Sequence, residues 1–148
     1  MLIRYARNRD LQQIYNIALH NKVYLGTTVA NKGLIREAIL KKQLLLAVSP
    51  KQKVLGFIYF RLRKDRILVI YDIVVALKRR KIGTKLVSKL ILLMQKKLCT
   101  AVRLKCSIKN IDANLFYKKI GFKVICREIR YNKQKKRNSI YNIQEKKL

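Results

Sequence analysis

Asp72 stands inside an otherwise apolar run, Ile67-Leu-Val-Ile-Tyr-Asp-Ile-Val-Val75, and is the only acid between Asp65 and Asp112. Burial among such neighbours raises a carboxyl toward working pH, the condition for a general base, while surrounding cations pull it down. A buried ion pair or a substrate anchor are the other readings of the same residue. The run is followed by Ala76-Leu-Lys-Arg-Arg-Lys-Ile-Gly83-Thr84 and then by Lys85 to Leu98, where Ile82, Leu86, Leu90 and Leu93 make a helical stripe. Strand, basic turn with glycine, helix: this order brings backbone N–H groups at a helix start to where a phosphate can meet them.

The elements around this stretch must hold it. The Ile/Val-rich run itself reads as a strand buried on both faces. Leu2 to Ala6 reads as a first strand, and Asn8-Arg9-Asp10 supplies caps for a helix to His20. A loop from Asn21 to Lys32, with Gly26, Thr27 and Thr28, leads to a helix over Leu34 to Lys42. Strands follow at Leu44–Ser49 and Val54–Arg63, and with the central run they make an antiparallel meander joined by short turns. Ala101–Ser107 comes after the crossover helix and is expected parallel to the central strand. A helix from Lys109 or Asn110 to Ile120 ends at Gly121, strands follow at Phe122–Arg130 and Ser139–Gln144, and the terminal Glu-Lys-Lys-Leu is expected to fray.

The chain of 148 residues is half hydrophobic, and one domain spanning 1–148 accounts for it. No apolar stretch approaches membrane-spanning length, and the N-terminus lacks a signal-peptide core. The expected location is the compartment of synthesis, the cytoplasm or an organelle interior. Cys99, Cys106 and Cys126 form no Cys-x-x-Cys pair and read as reduced, mostly buried thiols. With His20 the only histidine, no metal site is expected. The net charge of +29 reads either as an anionic partner, nucleic acid or another polyanion, or as compositional drift in a Lys-, Ile- and Asn-rich chain.

Three segments carry a resemblance. Asp72-Ile-Val-Val followed by Lys-Arg-Arg-Lys-Ile-Gly-Thr-Lys-Leu resembles the acyl-CoA-binding motif of the GNAT superfamily of N-acyltransferases. Asn110-Ile-Asp-Ala-Asn-Leu-Phe-Tyr117-Lys-Lys-Ile-Gly121-Phe122 resembles that family's Asn-x-x-Ala-x-x-Phe-Tyr-x-x-x-Gly-Phe signature. The opening Ile-Arg-Tyr-Ala, then Asp-Leu-x-x-Ile-Tyr, is also similar to the family's first strand and helix. The first motif departs from the family pattern of Gln or Arg, two residues, Gly, one residue, then Gly or Ala. Counting back from Gly83 puts Lys81 at the first glycine and Lys78 at the Gln or Arg. Alternatively that glycine is missing and Arg79 or Arg80 opens the motif.

The resemblance implies a mixed α/β sheet with about four helices, and an acetyltransferase that uses acetyl-CoA as co-substrate to acetylate an amine. It implies a pantetheine arm along Ile73, Val74 and Val75. It sets the diphosphate on the N–H groups of Arg80, Lys81, Ile82, Gly83 and Thr84, with Lys78 and Arg79 as charge partners. It makes Tyr117 the acid that returns a proton to the thiolate, with Asn110 contacting the co-substrate or capping a helix; Asp72 is the candidate base. His20, Tyr24 and Tyr59 are weaker candidates for the acceptor side, and Cys106 reads as core. Lys133, Lys135, Lys136 and Arg137 form the densest basic group, a solvated turn or a hold for a phosphate-bearing acceptor. The competing readings are a GNAT-like enzyme working on tRNA, DNA or at the ribosome, and a basic binder that has lost catalysis.

Overall fold

In the computed structural model, which describes residues 1–21, 31–78 and 80–148, the chain runs β1 (Leu2–Tyr5), α1 (Leu11–His20), α2 (Lys32–Leu40), β2 (Leu44–Val48), β3 (Val54–Leu62), β4 (Ile67–Val75), α3 (Ile82–Gln95), β5 (Ala101–Ser107), α4 (Ile111–Lys119), β6 (Lys123–Asn132) and β7 (Arg137–Lys147). A 3-10 turn at Asn8–Asp10 precedes α1. The strands form one sheet in the order β1-β2-β3-β4-β5-β7-β6. Only the β4–β5 pairing is parallel; the others are antiparallel. The expected loop with Gly26, Thr27 and Thr28, Tyr24 within it, and Arg79 lie outside the described residues.

Two apolar layers cover the sheet. On one face Leu86, Leu90 and Met94 of α3 pack on Ile58, Phe60, Leu68, Ile70 and Val102. On the other, Ile14 and Ala18 of α1 and Ile35 and Ala38 of α2 pack on Leu46, Phe57 and Val74. β4 changes layer part-way along. The register pairs Phe60 with Ile70 but Tyr59 with Asp72, so Tyr71 is an extra residue, a β-bulge. Strict alternation would put Leu68, Ile70, Asp72 and Val74 on one face. After the bulge Val74 instead joins the α1–α2 layer, and Ile73 and Val75 face α3. β4 is therefore not buried on both faces throughout: Tyr71 is exposed and Ile67, Val69 and Ile73 are half-buried.

Several expectations are corrected by particular contacts. The C-terminus does not fray, because β7 runs to Lys147 and pairs with β5 from Ala101↔Lys147 to Ser107↔Tyr141. Glu145 accepts from Arg103 Nε at 2.5 Å, Lys146 Nζ donates to the Ile120 carbonyl at 2.8 Å, and the Leu148 N–H donates to the Thr100 carbonyl. Asp10 stands at the N-cap of α1 but makes no side-chain cap bond to it. Its buried carboxylate holds Arg4 through two bonds of 2.8 and 2.9 Å and accepts from the Arg7 N–H. α3 stops at Gln95, where Leu98 takes φ +60° and the Cys99 N–H turns back to the Met94 carbonyl. The cysteines are free thiols and mostly buried, as expected: Cys99 and Cys106 are buried and Cys126 is exposed.

Gly56 sets how closely β3 and β4 approach. A Cβ built there would lie 2.7 Å from the Val74 carbonyl oxygen and 3.2 Å from Val75 Cα, both backbone atoms. Gly56→Ala should therefore cost about 1–3 kcal/mol, the range for overpacking, read as a lower urea midpoint with an unchanged slope.

Candidate active site

Parallel pairing between β4 and β5 lasts four residues, from Ile67↔Ala101 to Ile70↔Leu104. Beyond it β5 pairs only with β7 and β4 only with β3, so the two strands part. The bulge at Tyr71 falls at the point of parting. The Ala76 N–H donates to the Leu55 carbonyl. By antiparallel alternation Val74 and Asp72 then also spend their peptide groups on β3, while those of Ile73 and Val75 face the gap. Two of the three residues expected to meet an extended amide arm thus present a free edge, and Val74 presents its side chain to the core.

Asp72 sits at the head of this gap. Its Oδ2 is buried without a hydrogen-bond partner, and burial pushes the carboxyl up to about 6 from an ordinary 3.8. No ion pair among the described residues reaches it, although five of the seven acids are held by Lys or Arg. Of the two opposed influences read from the sequence, dryness prevails. Asp72 is felt from both sides of the sheet. From α4, the Tyr117 hydroxyl is raised well above the ordinary phenol range, first by burial, then by Cys106 and Asp72. From β3, Tyr59 is raised by burial, then by Tyr71, Glu37 and Asp72.

α4 delivers Tyr117. Its ring packs at 5.4 Å from Phe116 and 5.8 Å from Phe122. Asn110 caps the helix, its Oδ1 accepting from the Ala113 N–H at 3.2 Å. α4 has no fully buried residue, and Asn114, absent from the sequence-based site, pins it with its amide. Its Nδ2 donates to the Ser107 and Asn110 carbonyls at 2.9 and 2.8 Å. That leaves its Oδ1 to accept from Asn142 at 3.1 Å and from the buried Gln144 at 2.8 Å. An asparagine one helical turn before the signature tyrosine was visible in the sequence, but its partners lie on a strand expected to end at Gln144.

α3 begins without a side-chain cap, and its first internal bond runs from the Lys85 N–H to the Lys81 carbonyl. Among the described residues the N–H groups of Ile82, Gly83 and Thr84 thus have no intrahelical partner. Lys81, which by one count stands at the first glycine of the motif, takes the left-handed φ of +57° that a glycine would favour. A Cβ on Gly83 would lie 3.2 Å from the Phe116 ring, so this glycine also lets α4 close on α3. Lys81, Thr84, Ser88, Lys119 and Lys146 line a groove leading from the uncapped end. Lys78 and Arg80 belong to the exposed turn before it. On the opposite face a second hollow is lined by Leu34, Glu37, Lys41, Tyr59, Arg61 and Tyr71. The Tyr59 and Tyr71 rings lie 5.0 Å apart.

The family model described as Acetyltransferase (GNAT) family matches residues 35–122, more than half of the chain. The chain belongs to the GNAT family. Three solved structures show how far this GNAT fold extends. Ard1 from Thermoplasma volcanium is 20% identical, with a TM-score of 0.84 over 99% of this chain and 97% of its own. The ribosomal-protein-alanine N-acetyltransferase from Brucella melitensis is 19% identical, with a TM-score of 0.79 over 100% of both chains. Naa20 from Chaetomium thermophilum, solved with a bisubstrate analogue, is 18% identical, with a TM-score of 0.82 over 100% of this chain and 87% of its own. No curated protein matches the chain. As a GNAT member the chain is an acetyltransferase, and acetyl-CoA is the family's acyl donor. Its features fit that donor: an open strand edge, an uncapped helix end beside lysines, and an unpartnered buried carboxylate.

The remaining candidates fall elsewhere or into packing roles. His20 ends α1 in the open, its ring bonded to the Asn16 carbonyl. Cys106 is buried and pushed up to about 11, hence a neutral thiol. Lys133, Lys135 and Lys136 form the exposed β6–β7 turn, and Arg137 opens β7. Among the described residues no helix is long and apolar enough to cross a membrane.

Two stability predictions follow from this geometry. The folded protein binds the Asp72 proton more tightly than the unfolded chain does. Its stability from this group is full below pH 3.8 and is lost as pH rises through about 6. Asp72→Asn should therefore gain up to about 3 kcal/mol on the wild type above that range and nothing below it, read from paired urea midpoints across pH. Lys81→Gly should relieve about 1 kcal/mol of left-handed strain in the same assay.

Proposed function

We propose that the chain transfers the acetyl group of acetyl-CoA to an amine that enters through the hollow beside Tyr59 and Tyr71. The observation that carries this reading is Asp72: a dry, unpaired carboxylate at a gap in the sheet, sensed by Tyr117 on one face and by Tyr59 on the other. Acetyl-CoA supplies the activated thioester.

The free peptide groups of Ile73 and Val75 bind its amide arm as a neighbouring strand would. The N–H groups of Ile82 to Thr84, with the cations from Lys78 to Lys81, hold the diphosphate. Asn110 fixes the start of α4 and with it the position of Tyr117. Asp72 takes the proton of the attacking amine, which suits a carboxyl near 6 at neutral pH. Tyr117 stays protonated at every working pH and donates to the departing thiolate. The dryness that raises Tyr117 raises a thiol as well, as at Cys106, so the proton transfer is less uphill than in water.

The Brucella melitensis enzyme is named for a ribosomal-protein alanine, which makes a protein N-terminal amine the first acceptor to test. Nothing in the geometry favours nucleic acid as the acceptor. Association with RNA that disappears as salt rises would reflect the +29 charge alone.

Calorimetry with acetyl-CoA, followed by thiol release with peptide amines, tests the proposal. Binding and stoichiometric peptide acetylation are expected; failure to bind acetyl-CoA overturns it. In wild type kcat/KM should rise through pH 6 or so as Asp72 ionises, and Asp72→Asn should lose that limb together with most turnover while still binding CoA. Tyr117→Phe should lower kcat by about 100-fold with little change in the KM for acetyl-CoA.

A further inference from the structure

β6 is the last strand of the sheet, and no described residue pairs with its outer edge. It is ten residues long, and eight of them are exposed. Its register fixes which side chains share a face. Val124 lies opposite Gln144 and Arg127 opposite Asn142, the two residues bonded to Asn114 of α4. Alternation then puts Ile129 and Tyr131 on that same α4 side, with 65% and 61% of their surface exposed. A second bulge, at Ile125, adds another exposed apolar residue. On α4 itself Ile111 and Leu115, one turn apart, are exposed as well. An unpaired strand edge flanked by this much open apolar surface is a surface for pairing with another chain.

The charge around it selects the occupant. Lys123, Arg127 and Arg130 on the strand and Lys133, Lys135 and Lys136 on its turn surround these apolar residues, with Glu128 the only acid on the strand or turn. Glu128 is already shared by Lys105 and Arg130. A second copy of a +29 chain would set the same cations against this edge, where the one acid of the strand and turn, Glu128, is already paired. The same cations that keep two copies apart would be neutralised by an acidic strand. Nucleic acid fits less well, since Tyr131 is the only aromatic ring on the strand and a free edge of peptide groups has no use there.

We propose that β6 is a docking edge for an acidic protein segment, which adds as an eighth strand with apolar side chains alternating with Glu or Asp. Carboxylates of the added strand meet the basic rim, its apolar side chains cover Ile129, Tyr131 and Val124, and its peptide groups complete the ladder. Three strands, β4, β5 and β7, separate this edge from Tyr59 on β3, so the partner docks without blocking the acceptor hollow.

Three peptides of the same length test this with the full chain: Glu alternating with Ile and Val, Glu alternating with Ser, and Lys alternating with Ile and Val. Fluorescence anisotropy is read at about 150 mM salt, where charge alone is largely screened. The Glu/Ile-Val peptide should bind at least ten-fold tighter than either other peptide and slow amide exchange along β6. Ile129→Ser and Tyr131→Ser, both at exposed positions outside the acetyl-transfer site, should lose most of that binding and keep wild-type turnover. Equal binding of the Glu/Ser peptide would reduce the effect to generic charge and overturn the proposal. So would unchanged affinity in the variants, or a solution mass twice 17.5 kDa that Ile129→Ser halves.

Discussion

Everything at the candidate site depends on two parallel strands that separate after four residues. Parallel neighbours ordinarily satisfy one another along their whole length, and the end of that pairing at Ile70 and Leu104 leaves β4 with backbone groups that no other strand claims. The bulge at Tyr71 is the local device that accompanies the parting. It turns the strand over, so that one short segment gives a free edge toward the gap left by β5, a carboxylate in the opening and a tyrosine on the other face. A regular strand would have used the same residues to extend the core.

The electrostatics follow from that geometry more than from composition. With 36 cations against 7 acids, a carboxylate in this chain has every opportunity to be paired. Arg4 takes Asp10, Arg103 takes Glu145 and Arg63 takes Asp65. Asp72 escapes because its neighbours across the sheet are Tyr59 and apolar side chains, which exclude the long basic ones. A dry carboxyl near 6 changes its charge within the range where amines are handled, whereas a paired one stays ionised far below it.

The fold was legible in the sequence because its period signals were strong. The apolar stripe of α3, the proline just after β2 and the left-handed Gly121 each gave an element boundary near its observed position. Asp72 and Tyr117 were legible for a different reason: a lone acid in an apolar run and a tyrosine inside a signature are both conspicuous by type. What stayed hidden was set by partners distant in sequence. The bulge at Tyr71 leaves no mark in a run of nine, and the full length of β7 depends on Arg103, Thr100 and Ile120 rather than on its own polar residues. Asn114 looked like an ordinary polar helix residue until Asn142 and Gln144 were seen to meet it. Of the two ways of counting the motif before α3, one puts Lys81 at a glycine position, and there Lys81 holds the left-handed turn a glycine would favour.

The position of β7 between β5 and β6 has a consequence for how the molecule comes into being. The strand that completes β5, and that supplies Asn142 and Gln144 to hold α4 over the opening, comes after both α4 and β6 along the chain. The meander and α3 assemble from neighbouring segments, whereas the amide bonds that pin α4 reach 28 and 30 residues along the chain. Pairing of β7 with β5 is thus the step that pins α4, and Tyr117 with it, over the opening.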